Sequence, residues 1–368
     1  METVLRIAAQ SLSVALSTAL VTVPLCILLA RRFGIVDKPG GRKQHGQVTP
    51  LLGGVGVVAA TGVGLWLVHS QSGRPGGLDL HMHEIQHVLV AAGVIFVIGL
   101  IDDVFKDRLS FQLKLLGQIA GVLVLMWEQL AKLFLQGGPT AEWLYMLFFL
   151  GWYLTIVNSF NFSDNMNGLM AGLSVIAFAA SLVYLGTQDS LRSLLIAVLL
   201  VGGLLGFLPY NFPRSRVFLG DAGSMFVGFW MAFIQFDMAS GFMGTGTGDF
   251  GASHLIPAVL IMGVPLYDAA FVVIMRIVEG RPIYLGDNHH LSHRLVRSGF
   301  TPVEAVVMLW GLGILLAGVG ILAAFARPHY RYLLLVLSLL FLVAVTRAIM
   351  SYERRPPRPA TEPPVSPA

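Results

Sequence analysis

The sequence predicts an all-α protein that crosses a membrane many times. Of its 368 residues, 55% are hydrophobic and only 12% are charged, which is about half the charged share of an average soluble domain. The mean hydropathy is +0.75. Apolar runs of about 20 residues, long enough to span a bilayer as a helix, recur along the chain. These observations favour a polytopic integral membrane protein over a soluble one.

Eleven apolar segments are long enough to form membrane helices. The first ends in Arg31-Arg32 and is too long for the apolar core of a cleavable signal peptide, so we interpret it as a membrane helix. We expect residues 1–351 to form one transmembrane domain and the proline-rich residues 352–368 to form a disordered tail. The segments lie near residues 5–30, 51–69, 87–105, 112–135, 141–160, 166–186, 191–209, 217–237, 253–275, 302–325 and 331–350.

Basic residues are distributed unevenly between the two sides that eleven spans define. Eighteen of the 24 Lys and Arg residues fall on one side and six on the other. Because cytoplasmic loops carry the excess of basic residues, the N-terminus is predicted outside and the tail in the cytoplasm. Because these basic residues serve membrane orientation, the net charge of +4 does not indicate a nucleic-acid partner. Cys26 is the only cysteine of the chain, which excludes an intrachain disulfide.

The polar run at residues 158–168 is the most unusual feature of the apolar chain. Asn158, Asn161 and Asp164 recur every third residue at the end of the fifth segment. One or two helical turns would therefore bring them towards one side. Amide oxygens and a carboxylate form a hard-oxygen set that suits magnesium and phosphate rather than zinc. Because polar groups beside hydrocarbon lose hydration, we expect this run to serve an ion or a substrate.

Two acidic clusters fall on the same predicted cytoplasmic side. Asp102-Asp103 ends the third segment, although a charged helix end at the membrane surface would give the same pattern. Residues 220–224, Gly-Asp-Ala-Gly-Ser, open the eighth segment. Free backbone N–H groups at a helix start would let a phosphate approach, while Asp221 could hold a cation. A helix cap with packing glycines is the alternative for this second cluster.

Basic and histidine clusters complete the cytoplasmic side. Arg42, Lys43 and His45 are spaced compactly enough for phosphate contact. The loop after the ninth segment carries further cationic groups, namely His289, His290, His293 and Arg294. Zinc binding by these histidines is an alternative, but neighbouring arginines and the lack of a cysteine favour an anionic substrate. Five clusters on one face predict one shared site, and Asp268 of the ninth segment is expected to face it.

One pattern points to different chemistry. Residues 83–87 read His-Glu-Ile-Gln-His, the arrangement that binds zinc in some proteases. The pattern falls in a short outer loop and has no convincing third ligand. We therefore interpret it as an interfacial polar segment.

The order of these clusters resembles that of the polyprenyl-phosphate N-acetylhexosamine-1-phosphate transferases, the glycosyltransferase 4 family. The resemblance covers nearly the whole chain, and the histidine loop is more similar to the WecA/TagO branch than to the MraY branch. The motifs that carry it are Asp37-x-Pro39, Arg42-Lys43-x-His45, Pro50, Gly53-Gly54, Asp102-Asp103, Asn158-x-x-Asn161-x-x-Asp164, Gly220-Asp221-x-Gly223-Ser224 and Asp287-x-x-His290-x-x-His293.

The resemblance implies transfer of a sugar-1-phosphate from a UDP-sugar to a polyprenyl phosphate, with release of UMP. The WecA/TagO branch implies that the transferred group is GlcNAc-1-phosphate. It also implies that the enzyme lies in a bacterial plasma membrane and serves cell-envelope polysaccharide synthesis. A magnesium ion, with manganese as the alternative, would be bound by Asn161 and Asp221. Catalytic roles are implied for Asp102, Asp103 and Asp164.

The resemblance also implies a substrate-binding set and leaves several questions open. Asn167 stands where the family often has an acid, and Ser292 where it often has a histidine. A homodimer, an MraY-type phospho-MurNAc-pentapeptide transferase, an inactive homologue and a lipid transporter stay as alternatives. Carboxylates gathered at one face and the absence of an internal repeat disfavour the transporter. The implied substrate-binding residues are Arg42, Lys43, His45, Asn158, His290, His293 and Arg294, with Asn158 supporting the wall of the site.

Overall fold

The computed structural model describes residues 2–38, 48–71, 86–105, 109–136, 140–188, 190–243, 252–284 and 288–353. These residues form helices almost throughout, which confirms the prediction of an all-α polytopic membrane protein. Seven helices of these ranges are long and apolar enough to cross a membrane, or nine if two bent pairs each count as one span. The number eleven stays a prediction.

The helices follow the predicted apolar segments closely. One two-residue antiparallel ladder joins β1 (Val36–Asp37) to β2 (Thr49–Pro50). The helices are α1 (Glu2–Phe33), α2 (Gly53–Ser70), α3 (Gln86–Val104), α4 (Phe111–Leu125), α5 (Trp127–Gln136), α6 (Thr140–Ser163), α7 (Leu169–Leu185), α8 (Leu191–Asn211), α9 (Gly220–Met243), α10 (Ile256–Ile261), α11 (Gly263–Val278), α12 (Leu291–Arg297), α13 (Pro302–Phe325) and α14 (Pro328–Glu353).

Two predicted segments are bent rather than continuous. Helices α4 and α5 meet at 72°, and the segment that ends in α10 meets α11 at 93°. Pro265 has no N–H to donate to the carbonyl of Ile261, so one helix cannot run through the second bend. Helix α5 carries Glu128, Gln129 and Lys132 within ten residues, a composition that suits the membrane surface better than its hydrocarbon core.

Helix α9 forms the centre of the bundle and places the candidate site at its first turn. It packs against α2, α3, α6 and α7. Phe229 and Trp230 in its middle are fully buried, as expected for a helix that is apolar on all sides. The N-terminal end of α9 therefore has a position fixed by several neighbouring helices.

Close backbone contact fixes the start of α9 against α2. Gly53 and Gly54 donate their N–H groups to the carbonyls of Phe218 and Leu219, at 3.0 and 2.8 Å. A Cβ on Gly54 would overlap the backbone of Gly223. Gly54 and Gly223 are thus needed for helix packing, as the alternative interpretation of residues 220–224 proposed.

Candidate active site

A cavity of about 440 Å³ opens where α3, the end of α6, the start of α9 and α12 meet. The structure thereby brings together residues from four of the clusters identified in the sequence, and Asp37 from the loop of the fifth also lines the cavity. Its polar lining includes Asp102, Asp103, Asp164, Asn167, Asp221 and His293.

Asp103 holds the first turn of α9. Its two carboxylate oxygens accept hydrogen bonds from the backbone N–H groups of Asp221 and Ala222, each at 2.9 Å. Gly220 has a φ of +75°, and a Cβ there would come within 2.5 Å of the Asp103 carboxylate. The expectation that these N–H groups are free for a phosphate is therefore wrong, because a buried carboxylate occupies them. Asp103 orients Asp221.

Lys114 joins the two acidic clusters. Its ammonium lies 3.0 Å from Asp102 Oδ2 and also contacts Asp221 Oδ2. Lys114 is in the second turn of α4, which packs against α3. In the sequence, Lys114 is one of the eighteen basic residues on the predicted cytoplasmic side and belongs to no motif. Two carboxylates that converge on one cation show that the site is built to hold positive charge.

Asn161 extends the same cluster from α6. Its amide nitrogen donates to Asp221 Oδ1 at 2.9 Å and to Ser224 Oγ at 2.8 Å. Turning the amide about its last torsion would exchange nitrogen and oxygen and present the oxygen at the same place. An amide oxygen and two carboxylates are ligands that magnesium accepts.

The oxygen atoms of the cluster are of a type that suits magnesium better than zinc. Within the described residues, no three His, Cys, Asp or Glu side chains are grouped closely enough to hold a metal by themselves. Magnesium needs no such group, because it usually keeps several waters and is bound by one or two carboxylates together with substrate phosphates. The residues present therefore fit a metal that arrives with a phosphate ligand.

Asn158 lies behind the cavity and is paired with α4. It donates to Gln118 Oε1 at 2.7 Å and accepts from Gln118 Nε2 at 3.3 Å. Gln118 is four residues after Lys114 on the same helix and is almost fully buried. Through these two hydrogen bonds, Asn158 holds α4 against α6 and so helps to fix the position of Lys114 at the site. Direct substrate contact by Asn158 stays a prediction.

Asp164 lies in the turn that follows α6, because the helix ends at Ser163. Its half-buried carboxyl lines the cavity. Desolvation in this position, with the negative charge of Asp221 as a second cause, raises the pKa of Asp164 to about 7. In the protein without metal or substrate, the neutral form of this carboxyl therefore predominates only below about pH 7.

The raised pKa of Asp164 predicts a pH-dependent effect of Asp164→Asn on stability. The folded protein binds the proton more tightly than the unfolded chain, so wild-type stability falls as pH rises from about 4 to about 7. Asparagine removes this dependence. Between pH 5 and pH 8, the thermal midpoint of the variant should gain about 2 °C or more relative to wild type. Melting curves without metal or substrate check this, and a pH-independent difference would contradict it.

Helix α12 is capped by a carboxylate from α11. Asp268 Oδ1 accepts the N–H of Leu291 at 2.7 Å, and Asp268 Oδ2 lies 2.6 Å from His290 Nδ1. Both side chains are buried. Asp268 thus contacts the histidine loop, but it is not among the described residues that line the cavity, so its facing the site stays a prediction. His293, one turn later, is the histidine that lines the cavity.

The other end of α12 is held by α14. Arg294 Nη1 lies 3.0 Å from Glu353 Oε2, and Arg297 Nε lies 2.5 Å from Glu353 Oε1. Arg294 is buried and also donates to the carbonyl of His289 at 3.0 Å. These contacts give Arg294 a bracing role, and substrate contact by Arg294 stays a prediction. Glu353, which the sequence assigned to the tail, belongs to α14.

Glu353→Gln should loosen α12 without unfolding the protein. The change removes the charge that two arginines share, and a charge-assisted hydrogen bond contributes about 1.5 kcal/mol or more. Hydrogen–deuterium exchange at the amides of residues 290–297 should rise about tenfold. Arg347→Gln is the control, because Arg347 is an exposed residue of the same helix. Equal exchange in the two variants would contradict the bracing role.

Several predicted residues lie outside the described part of the chain. Arg42, Lys43 and His45 fall in residues 39–47, and Asp287 falls in residues 285–287. Their predicted roles stand untested, as does the predicted tail at residues 354–368. Of the protease-like pattern only Gln86 and His87 are described. His87 Nε2 lies 3.1 Å from Glu128 Oε1 on α5.

A second cavity, of about 220 Å³, lies at the opposite end of α9. It is lined mainly by aromatic and aliphatic side chains around Asp237. Asp237 follows Asp221 by 16 residues of one helix, a rise of about 24 Å. The grouped carboxylates lie at the first cavity, which is therefore the candidate active site.

The fold and site define a class of protein. It is a polytopic membrane protein with carboxylates, an ammonium group and amides gathered at one end of a buried helix. Such a group, beside an open cavity, suits a divalent cation and the phosphates of a substrate.

Comparisons with known proteins give the family. The chain belongs to glycosyl transferase family 4, whose profile matches residues 85–239. It is 30% identical over 312 residues to a probable undecaprenyl-phosphate N-acetylglucosaminyl 1-phosphate transferase of Bacillus subtilis, covering 82% of this chain and 81% of the relative. It is 29% identical over 326 residues to the undecaprenyl-phosphate alpha-N-acetylglucosaminyl 1-phosphate transferase of Escherichia coli K12, covering 85% and 83%. A decaprenyl-phosphate N-acetylglucosaminephosphotransferase of Mycolicibacterium smegmatis is 31% identical over 359 residues, covering 91% and 86%.

Proposed function

We propose that the protein transfers GlcNAc-1-phosphate from UDP-GlcNAc to a polyprenyl phosphate. UMP is released, and a polyprenyl-diphosphate-linked GlcNAc remains in the membrane. Three relatives that are about 30% identical to most of this chain have names that support the lipid phosphate acceptor and the transferred GlcNAc-1-phosphate group. They also favour this activity over the MraY-type alternative.

The observation that carries the proposal is the convergence of Asp102, Lys114, Asn161 and Asp221 at the edge of the cavity. Phosphoryl transfer needs little covalent help from a protein and depends on positioning and charge stabilisation. A lysine and oxygen ligands for a cation supply that stabilisation. A transporter gains nothing from such a group at one end of a helix, because its site lies near the bilayer midplane.

The attack itself requires no strong base. The second pKa of a phosphate monoester is about 6, so the lipid phosphate is largely dianionic at neutral pH. We propose direct in-line attack of a lipid phosphate oxygen on the β-phosphorus of the UDP-sugar, with UMP as the leaving group. The bond to UMP breaks as the new phosphoanhydride bond forms, so that no proton has to be removed from the nucleophile.

Each residue of the cluster then has a task. Asp221 and Asn161 would hold magnesium, which when bound neutralises the diphosphate oxygens. Lys114, whose ammonium lies between Asp102 and Asp221, would donate to phosphate oxygens of the substrate. Asp103 keeps Asp221 in place through the first turn of α9, and Asp102 orients Lys114 and the lipid phosphate. His293 contacts the nucleotide or its phosphates from the facing wall. Manganese is the alternative metal.

The membrane setting follows from the same proposal. We place the protein in the bacterial plasma membrane with the N-terminus outside and the active site in the cytoplasm. The excess of basic residues on one side supports this orientation. The partners are a UDP-sugar, the lipid phosphate and the bilayer, with no nucleic acid.

A panel of UDP-sugars tests the proposed donor. Purified protein, polyprenyl phosphate and magnesium should release UMP from UDP-GlcNAc at least about tenfold faster than from UDP-GalNAc or UDP-MurNAc-pentapeptide. Preference for the pentapeptide donor would identify an MraY-type enzyme instead. Lipid transfer between vesicles without UMP release would identify a transporter.

A further inference from the structure

Ser292 connects the two walls of the cavity. Its hydroxyl donates to Asn165 Oδ1 at 2.6 Å. Asn165 in turn donates through Nδ2 to the carbonyl of Phe162, at 2.9 Å. Ser292 is almost fully buried, so the hydrogen bond is shielded from competing water. The sequence marked residue 292 only as a departure from the usual histidine.

The two partners are neighbours of residues that line the cavity. Asn165 follows Asp164 in the turn after α6, and Ser292 precedes His293 on α12. The ends of α12 are already fixed to α11 by Asp268 and to α14 by Glu353. The Ser292–Asn165 hydrogen bond ties the same helix to the acidic wall across the cavity.

A seven-residue helix needs such external contacts. Isolated helices shorter than about 12 residues are unstable in water. The capping contact and the arginine contacts orient α12 relative to α11 and α14, but they set no distance to the turn that carries Asp164. Apolar residues of α12 share a cluster with Leu169 and Met166 beside that turn. The serine hydroxyl adds a direct polar contact to the turn, and a hydrogen bond at 2.6 Å tolerates little separation.

We infer that Ser292 and Asn165 are positioning residues that lock the wall carrying His293 to the wall carrying Asp164. The lock sets the width of the cavity for the diphosphate of the donor. This inference rests on the proposed function as far as the donor is concerned. The hydrogen bond between the walls does not depend on it.

A double-mutant cycle tests the lock through turnover. Ser292→Ala should lower kcat/KM for UDP-GlcNAc about fivefold, the value of one hydrogen bond. The same change in an Asn165→Ala background should have no further effect, because the partner is already gone. The KM for polyprenyl phosphate should stay within about twofold in all variants.

Ser298→Ala is the matched control. Ser298 follows α12 and donates to the carbonyls of Arg294 and Ile349, at 2.9 and 3.2 Å, and neither contact crosses the cavity. This variant should keep kcat/KM within about twofold of wild type. Equal losses in Ser298→Ala and Ser292→Ala would reduce Ser292 to general support of the helix. Additive effects of Ser292→Ala and Asn165→Ala would also overturn the inference.

Hydrogen–deuterium exchange tests the lock without turnover. Ser292→Ala should raise amide exchange about fivefold, both in residues 164–168 and in residues 290–293. Ser298→Ala should leave the exchange of residues 164–168 unchanged.

If wild type releases no UMP from UDP-GlcNAc but this exchange pattern holds, the proposed function fails and the lock stands. If Ser292→Ala does not fold, Asn165→Ala removes the same hydrogen bond from the partially exposed partner. Unchanged exchange at residues 290–293 in that variant refutes the lock.

Discussion

Asp221→Ala should lower the rate of UMP release at least about a thousandfold while the protein stays folded. Asp221 accepts from Asn161 and contacts Lys114, and it lies at the edge of the cavity. Removing one preorganised group that stabilises transition-state charge typically costs two to three orders of magnitude. Here the change also removes a proposed metal ligand. Raising the magnesium concentration should restore only a small part of the rate.

Asp237→Asn is the control for this prediction. Asp237 lies on the same helix, about 24 Å further along by helical rise, and its carboxylate accepts from Ser193 at 2.6 Å. The control should keep the rate within a few-fold of wild type. Near-normal turnover of Asp221→Ala, measured alongside a thermal midpoint that shows a folded protein, would remove Asp221 from the site.

Lys114→Gln should lower kcat/KM about a hundredfold. It should also lower the magnesium concentration needed for half-maximal activity. The ammonium is shared by Asp102 and Asp221, so its loss leaves two carboxylates without their common cation. Binding of a divalent cation by these carboxylates should become tighter. The transferred phosphate loses a donor, and turnover falls. A lower half-saturating magnesium concentration together with a lower kcat is the expected signature.

Lys132→Gln and Lys114→Arg separate this effect from a general loss of charge. Lys132 is exposed on α5, beyond the bend that follows α4, and its replacement should leave both quantities unchanged. Arginine at residue 114 keeps the charge but changes its geometry, so partial activity is expected. Lys114→Gln with wild-type kcat and wild-type magnesium dependence would contradict the role of Lys114.

Much of the architecture was predictable because apolar length is a direct requirement of the bilayer. Each predicted segment contains a helix or a bent pair of helices. The bend at Met262 is indicated in the sequence by Gly263 and Pro265, which disfavour a continuous helix. The bend at Met126 is indicated more weakly, by the polar residues of α5. Neither was recognised, since a count of apolar residues ignores where hydrogen bonding is interrupted.

The site was predictable as a set of residue types but not as a set of contacts. Asp102, Asn161 and Asp221 were identified from their motifs, and the structure gathers them. Lys114 was missed because a single lysine near the start of an apolar helix matches the excess of basic residues on one side. Only the packing of α4 against α3 places its ammonium between two carboxylates.

Residues that position the site were the hardest to predict. Glu353 follows Arg294 by 59 residues, and Ser292 follows Asn165 by 127 residues. No spacing rule connects such pairs, because their contact depends on how whole helices pack. Asp103 shows the same limit, since a motif shows that a carboxylate is present but not whether it binds substrate or backbone.

The proposed function requires that one reaction joins UDP-GlcNAc and a polyprenyl phosphate at the Asp221 end of α9. The direct test uses purified protein in defined vesicles with polyprenyl phosphate, magnesium and UDP-GlcNAc labelled in the sugar. UMP and a lipid-diphosphate-linked sugar should form in equal amounts, and omission of any component or Asp221→Ala should stop both. UMP without a labelled lipid product, or no turnover with any UDP-sugar, would contradict the account.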